Sequence, residues 1–326
     1  MFDHFRKGRK WFLVIVAGAV GTFTAVQAGY AQGGTWTPLA PVSPSPTEGM
    51  TVGGVGQVIV GAYGFSGGAY TNQTRLYNIN TDTWSLGGAA PTPARAGAAS
   101  GDTTHGGFLY VIGGENSTGV LADLQRYDPV TDMWTPLMPM TTARAGAAAA
   151  VIDDGIFVIG GRKSTNGPCS GGPYLQTVEK YDIDTDTWSP VAQLPSARSD
   201  LAAVAHGGKI FVFGGCDSTG VTDEVDMYDP QTNTWTTGLT PMLTKRASLV
   251  AGHSGDNVYA IGGTNGVLAS NANEVYDVAH NTWSNNMLMT TARQEAGVNS
   301  HGGRIYVVGG STTFGTSTPA NEVFKP

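Results

Sequence analysis

Five arginines recur at one place in the chain: Arg95, Arg144, Arg198, Arg246 and Arg293 each follow a tryptophan by ten or eleven residues. Guanidinium groups bind carboxylates through paired N–H bonds, so a partial ring of them on an acidic protein is a candidate ligand-binding surface for carboxylates. The same recurrence suits a structural part, with each arginine paired within or between repeats to an acid such as Glu179, Asp226, Glu274 or Glu322. Cys169 and Cys216 are the only cysteines and form a candidate disulfide if the protein is exported. No histidine stands near either, which disfavours a catalytic thiol. His105, His206 and His301 each precede Gly-Gly, and His253 lies near the same place in its own repeat. A repeated turn accounts for this, so no metal site is predicted. Asp182, Asp184 and Asp186 alternate like the start of a calcium loop, but no glycine follows where such a loop needs one,. They read as turn residues. Asn72-Gln73-Thr74 and Asn116-Ser117-Thr118 match the glycosylation pattern,. No assembled catalytic constellation and no cofactor motif is present.

The elements that would position these side chains are short strands. Only 13% of the 326 residues are charged, against about 25% in an ordinary globular domain. Glycine takes 47 positions and proline 17, a composition of frequent turns and few helices. Residues 1–31 read as a signal peptide: Arg6, Lys7, Arg9 and Lys10 precede a mostly apolar run from Trp11 to Val26, with cleavage expected after Ala28 or Ala31,. An uncleaved anchor is the alternative, although the run is short for a span of about 20 residues. No later segment is long and apolar enough to be a spanning helix, so none is expected in the mature chain, residues 32–326. Loss of residues 1–28 removes four bases and one acid and moves the net charge from −7 to −10. Without a basic run outside that segment, nucleic acid is excluded as a partner.

Six of the seven tryptophans, Trp36, Trp84, Trp134, Trp188, Trp235 and Trp283, are spaced 47 to 54 residues apart. A tyrosine stands seven residues before each of the last five, as in Tyr127-Asp128 and Tyr181-Asp182. Apolar runs ending in Gly-Gly, such as FLYVIGG at 108–114 and IFVFGG at 210–215, lie upstream of these. Small residues follow each arginine, so every period encodes four short strands, here called a to d. A four-stranded period near 50 residues, with paired glycines, Tyr-Asp and Trp at these offsets over residues 35–326, resembles the Kelch-repeat β-propeller family. The fold class expected is all-β, a six-bladed Kelch-type propeller. Residues 321–325 match the third strand of blade 5, so the N-terminal Thr35-Trp36-Thr37-Pro38 is expected to complete the last blade and close the ring. Blade 1 is degenerate: its glycine pair reads Gly61-Ala62 or Ala62-Tyr63, and Thr47 takes the arginine position.

Strand polarity puts the b–c loops and the blade-to-blade links on one face, together with the five arginines and the long loop 162–176. The function expected is that of a secreted or periplasmic, noncatalytic, monomeric module. It would bind a protein or glycan partner, or serve as a scaffold, through that face. The alternative is a carbohydrate-active enzyme. Exported bacterial Kelch propellers of six blades include sialic acid mutarotases, and the chain is similar to them in blade number, repeat type and export signal. That resemblance implies acid/base and carboxylate-binding roles for acidic and arginine groups, without assigning any residue here. An acidic side chain with a raised pKa at the loop-face mouth would favour it.

Overall fold

The computed structural model describes residues 33–326 apart from Asn166 and Ser170; the expected signal segment lies outside the described residues. All regular elements among them are strands, with no helix long and apolar enough to cross a membrane. Six antiparallel four-stranded sheets surround one axis as blades of a β-propeller. Blade 1 consists of Thr51–Val55, Val58–Ala62, Thr74–Asn78 and Thr83–Gly87. Blade 2 has Thr104–His105, Phe108–Ile112, Leu124–Asp128 and Met133–Leu137. Blade 3 has Ala148–Ile152, Gly155–Ile159, Val178–Asp182 and Thr187–Pro190. Blade 4 has Ala202–His206, Lys209–Phe213, Val225–Asp229 and Thr234–Thr236. Blade 5 has Val250–Ser254, Asn257–Ile261, Asn273–Asp277 and Thr282–Asn285. Blade 6 has Gly297–His301, Arg304–Val308 and Asn321–Lys325, and its outermost strand is Thr35–Pro38 from the other end of the chain. Trp36 pairs with Phe324 in that register, 5.0 Å between ring centroids.

The core is a set of wedges between blades. Ala148, Ala150, Phe157 and Ile159 of blade 3 pack against Ala203, Ile210, Val212 and Tyr228 of blade 4. Strand b is apolar on consecutive positions because both its faces are covered by neighbouring blades. Strand a is small because six such strands crowd the axis. Toward the rim one polar staple repeats. Asp82, Asp132, Asp186, Asn233 and Asn281 each accept a bond from the tyrosine hydroxyl of their own blade. Each also accepts a backbone N–H from the preceding blade's outer segment, as when Met138 donates to Asp186 at 2.8 Å. The six repeat tryptophans add an indole N–H bond to the preceding blade, as from Trp188 to the Met138 carbonyl at 2.7 Å.

Two details depart from the repeat as read in sequence. The glycine pair of blade 1 is represented by Tyr63-Gly64, not by residues 61–63. Both have positive φ, +61° and +108°, and their N–H groups go to Gln73 and Arg95, the bonds that Gly113-Gly114 make to Asp123 and Arg144. The inner strand of blade 2 shrinks to Thr104–His105 because Ser100 turns away and bonds to Ala147 and Ala149 of the next blade.

Candidate functional site

The five repeat arginines are not offered to a ligand, and in this the ligand-binding expectation is corrected. All are buried, with side chains turned into the blades. Each guanidinium grips a carboxylate of its own blade: Arg95 with Asp123, Arg144 with Glu179 at 2.5 Å, Arg198 with Asp226, Arg246 with Glu274 at 3.0 Å and Arg293 with Glu322 at 3.4 Å. Each also donates to a carbonyl at or near the end of strand b, as Arg144 does to Gly160 at 2.7 Å. The arginine carbonyls accept the second glycine N–H of the preceding blade at 2.8–2.9 Å. A ring of free guanidinium groups therefore does not exist at the mouth.

The b–c loop face nevertheless brings a second set of polar side chains together. Two residues after the arginine position stand Gly49, Gly97, Gly146, Asp200, Ser248 and Glu295, all with φ between +51° and +63°. Their backbones form a closed circle around the axis. Gly97 donates to Gly49, Gly146 to Gly97, Asp200 to Gly146, Ser248 to Asp200, Glu295 to Ser248 and Gly49 to Glu295, at 2.7–3.1 Å. Half of this circle is bare glycine, and half carries polar side chains in a conformation costly for L-residues. Gly146 has to lack a side chain: a Cβ there would sit 2.3 Å from Arg162 Nη1 and 2.5 Å from Asp200 Oδ1.

Above the circle opens a cavity of about 350 Å³, within the size range of small-molecule and side-chain pockets. Arg162, the residue after the glycine pair of blade 3, lies in its wall, 2.8 Å from Asp200 Oδ1 and 3.0 Å from Glu115 Oε1. Asp200 Oδ2 accepts from Ser199 Oγ at 2.6 Å and from the Cys169 N–H at 3.2 Å. Glu48 and Glu295 complete the acidic wall. Burial pushes the Glu295 carboxyl up to about 8, helped by the neighbouring charges of Glu48 and Asp200. Burial also raises Glu48 and Glu115. Arg162 is held above its usual value because Asp200, Glu115 and Glu295 outweigh its own burial. Four buried oxygens on this wall have no protein partner: Glu48 Oε2, Glu115 Oε2, Ser248 Oγ and Glu295 Oε1. Phe65 and Tyr70, edge to face at 5.3 Å, and Phe314 form an aromatic side of the opening.

Of these polar residues only Arg162 lay in a segment marked in the sequence, the long loop 162–176. The usable signal was repeat offset: the position after the glycine pair and the position two after the arginine vary where their surroundings repeat. Cys169 and Cys216 are joined as a disulfide, with Cα atoms 5.4 Å apart; it anchors loop 162–176 beside Asp200. His105 and His253 line a second cavity away from this one. His105 bonds Asp154 at 3.0 Å, and the His206 and His253 rings are 6.1 Å apart. Asp182 caps its own turn through Thr185, while Asp186 is the rim staple of blade 3. Asn116 is buried and accepts from Thr118 and Gly119.

The repeat and the fold are matched by known proteins. The model of the KLHDC2/KLHL20/DRC7 Kelch-repeats domain matches residues 138–310, and the Kelch motif matches residues 96–141. The chain belongs to the Kelch-repeat family. It is 30% identical over 171 residues to Kelch-like protein 23 of Pongo abelii, covering 52% of this chain and 28% of that protein. It is 36% identical over 131 residues to Kelch-like protein 25 of Xenopus tropicalis, covering 39% and 22%. Alpha-scruin of Limulus polyphemus is 30% identical over 182 residues, covering 52% and 19%. The aligned part is thus under a third of each relative's length. The solved structure of YjhT superposes with a TM-score of 0.75 at 20% identity, covering 87% of this chain and 95% of that one, which shows a shared fold.

Two outcomes follow. Arg144→Ala leaves the Glu179 carboxylate buried without its cation and lowers unfolding free energy by about 3–5 kcal/mol in urea denaturation; an exposed ligand-binding arginine would cost little. The Glu295 carboxyl keeps its proton in the folded state to about 8 but ionises near 4.3 when unfolded. Its contribution therefore falls as pH rises through that window, because the folded state binds the extra proton. Glu295→Gln removes the loss, so its melting temperature gains on the parent from about pH 5 to about pH 8.

Proposed function

We propose that the chain is an exported, noncatalytic binding module that holds a protein or glycan partner on the b–c face, with the axial mouth as anchoring pocket. One observation carries this reading: buried oxygens without partners, beside empty space of ligand size, open onto the face with the apolar hairpin tips. Val267 and Leu268 of the blade 5 loop and Phe314 of the blade 6 hairpin are exposed there. Exposed apolar side chains around a polar pocket are the anatomy of a recognition surface. Export rests on the basic and apolar segment at the N-terminus. If it operates, intact-mass measurement of protein from outside the cytoplasm finds a chain starting at residue 29 or 32; a full-length membrane-bound chain refutes cleavage.

A second reading, a sugar mutarotase or epimerase, is favoured by Glu295. A carboxyl that keeps its proton near neutrality, in one cavity with the carboxylate of Asp200, supplies the donor and acceptor that opening and closing a sugar ring requires. Calorimetric titration with a panel of peptides and acidic and neutral oligosaccharides tests both. Under the binding reading, affinity for the bound ligand falls at least about tenfold in Phe314→Asp and Leu268→Asp and is unchanged in His301→Ala on the opposite face. Equal losses on both faces refute it. Accelerated anomer exchange of a panel sugar by NMR, abolished in Glu295→Gln, transfers the site to the enzyme reading.

A further inference from the structure

We infer that the axial mouth selects a basic side chain, a lysine or arginine presented by a partner polypeptide; this rests on the b–c face being the binding surface. Charge is the first reason. Four acids, Glu48, Glu115, Asp200 and Glu295, face a single cation, Arg162, so even with Glu295 protonated the acids outnumber the cation and an incoming cation would offset them. The second is the set of acceptors. Glu115 Oε2, in a residue 8% exposed, and Ser248 Oγ, in one 9% exposed, lie in the wall without a partner, as do Glu48 Oε2 and Glu295 Oε1. Buried acceptors are nearly always satisfied in folded proteins, and an ammonium or guanidinium group supplies several donors and no acceptor.

The shape of the wall separates an organic cation from a metal ion. Among the described residues the metal-type ligands that converge within 4.8 Å of one another are Cys169, Asp200 and Cys216. Two of these are joined in the disulfide, and the mouth's four carboxylates do not converge in that way. Met50, Ala98, Leu201 and Leu249 occupy the rest of the wall, which suits the aliphatic stem of a long basic side chain. Phe65 and Tyr70 place aromatic rings at the opening, where a passing cation is attracted to their faces,. The exposed Val267, Leu268 and Phe314 then meet apolar residues flanking the anchor, which favours a polypeptide over a small diamine. Net charge of −7, or −10 without residues 1–28, steers basic partners at long range.

The test uses the mature chain and three blocked pentapeptides, Ala-Leu-X-Leu-Ala with X as lysine, arginine or norleucine, and agmatine as a free small cation. The lysine and arginine peptides are expected to bind saturably in calorimetry, the norleucine peptide at least about tenfold more weakly and agmatine more weakly than the arginine peptide. Glu115→Gln and Glu48→Gln should each lower affinity for the basic peptides about tenfold, and added salt should lower it further. Glu295→Gln should lose more affinity at about pH 9 than at about pH 6, since its carboxyl ionises near 8 among Glu48, Glu115, Asp200, Arg162 and Tyr70,. A variant that had merely loosened the fold would lose affinity at both. Equal binding of the norleucine peptide, sensitive to Phe314→Asp, overturns the basic anchor and leaves the b–c face as binding surface. Agmatine binding as tightly as the arginine peptide overturns the polypeptide source. Absence of saturable binding by both basic peptides up to about 10 mM overturns the inference, while the oligosaccharide panel judges the face independently.

Discussion

A propeller has no single core, so its integrity rests on how each blade is fastened to the next at the inner edge. In this chain one residue type does that for five of the six junctions. The arginine main chain accepts an N–H from the preceding blade, while its guanidinium grips a carboxylate and a strand-end carbonyl of its own blade. Desolvation offsets much of the Coulomb attraction of such a buried pair. Its worth is therefore positional: it fixes one blade against another at a defined distance. The glycine pairs belong to the same device. The left-handed second position of each pair admits no side chain, since a Cβ at Gly161 would meet the Ala145 carbonyl at 2.9 Å.

The sixth junction shows what replaces the clasp. Thr47 keeps the carbonyl role, accepting from Gly310 at 2.9 Å, but has no guanidinium. The cation of blade 1 comes instead from Arg75 in strand c, at the position where blades 3 to 6 carry their acid. Arg75 is fully buried and bonds Gln73 at 2.6 Å, and its pKa is pulled down to about 10 by burial. This junction joins blade 1 to the blade that the two chain ends build together, where Thr35–Pro38 pairs with Asn321–Lys325. Long-range strand pairing there takes the place of the local clasp and leaves no unpaired outer edge on strand c of blade 6.

The architecture was legible in sequence because its determinants recur. Glycine pairs, tyrosines, tryptophans and arginines are chosen by packing that repeats in every blade, so period and offset revealed blade number and ring closure. The loop face was legible for the same reason, as strand polarity alone assigns it. The pocket was not. Glu115, Arg162, Asp200 and Glu295 are separated by up to 180 residues and meet only because the ring brings successive links to one axis. The arginines misled as ligand candidates because regular recurrence is the mark of a structural part. Five of the six blades use one in the same way, whereas an off-axis ligand would need only some of them. Tyr63 hid for a related reason: its blade keeps the left-handed turn but not the glycine that announces it.

The contrast between clasp and mouth bears on what the mouth is for. Both contain buried charge, and both leave polar atoms without protein partners, including the Nε atoms of Arg95, Arg198, Arg246 and Arg293. The clasps, however, lie within packed blades, with only the Asp123 carboxylate partly exposed. At the mouth, the unpartnered oxygens of Glu115, Ser248 and Glu295 border a cavity of about 350 Å³. The backbone adds an independent asymmetry. Asp200, Ser248 and Glu295 hold the left-handed conformation that three glycines hold across the axis, at a cost of order 1 kcal/mol each for a residue with a Cβ. A channel needing only closure would be served by six glycines, since the circle of hydrogen bonds uses backbone atoms alone. Of the side chains on half of that circle, Asp200 holds Arg162 and the disulfide-anchored loop, whereas Ser248 and Glu295 add strain and unpartnered oxygens that ring closure does not use. That is the pattern expected when a site is kept for what it binds.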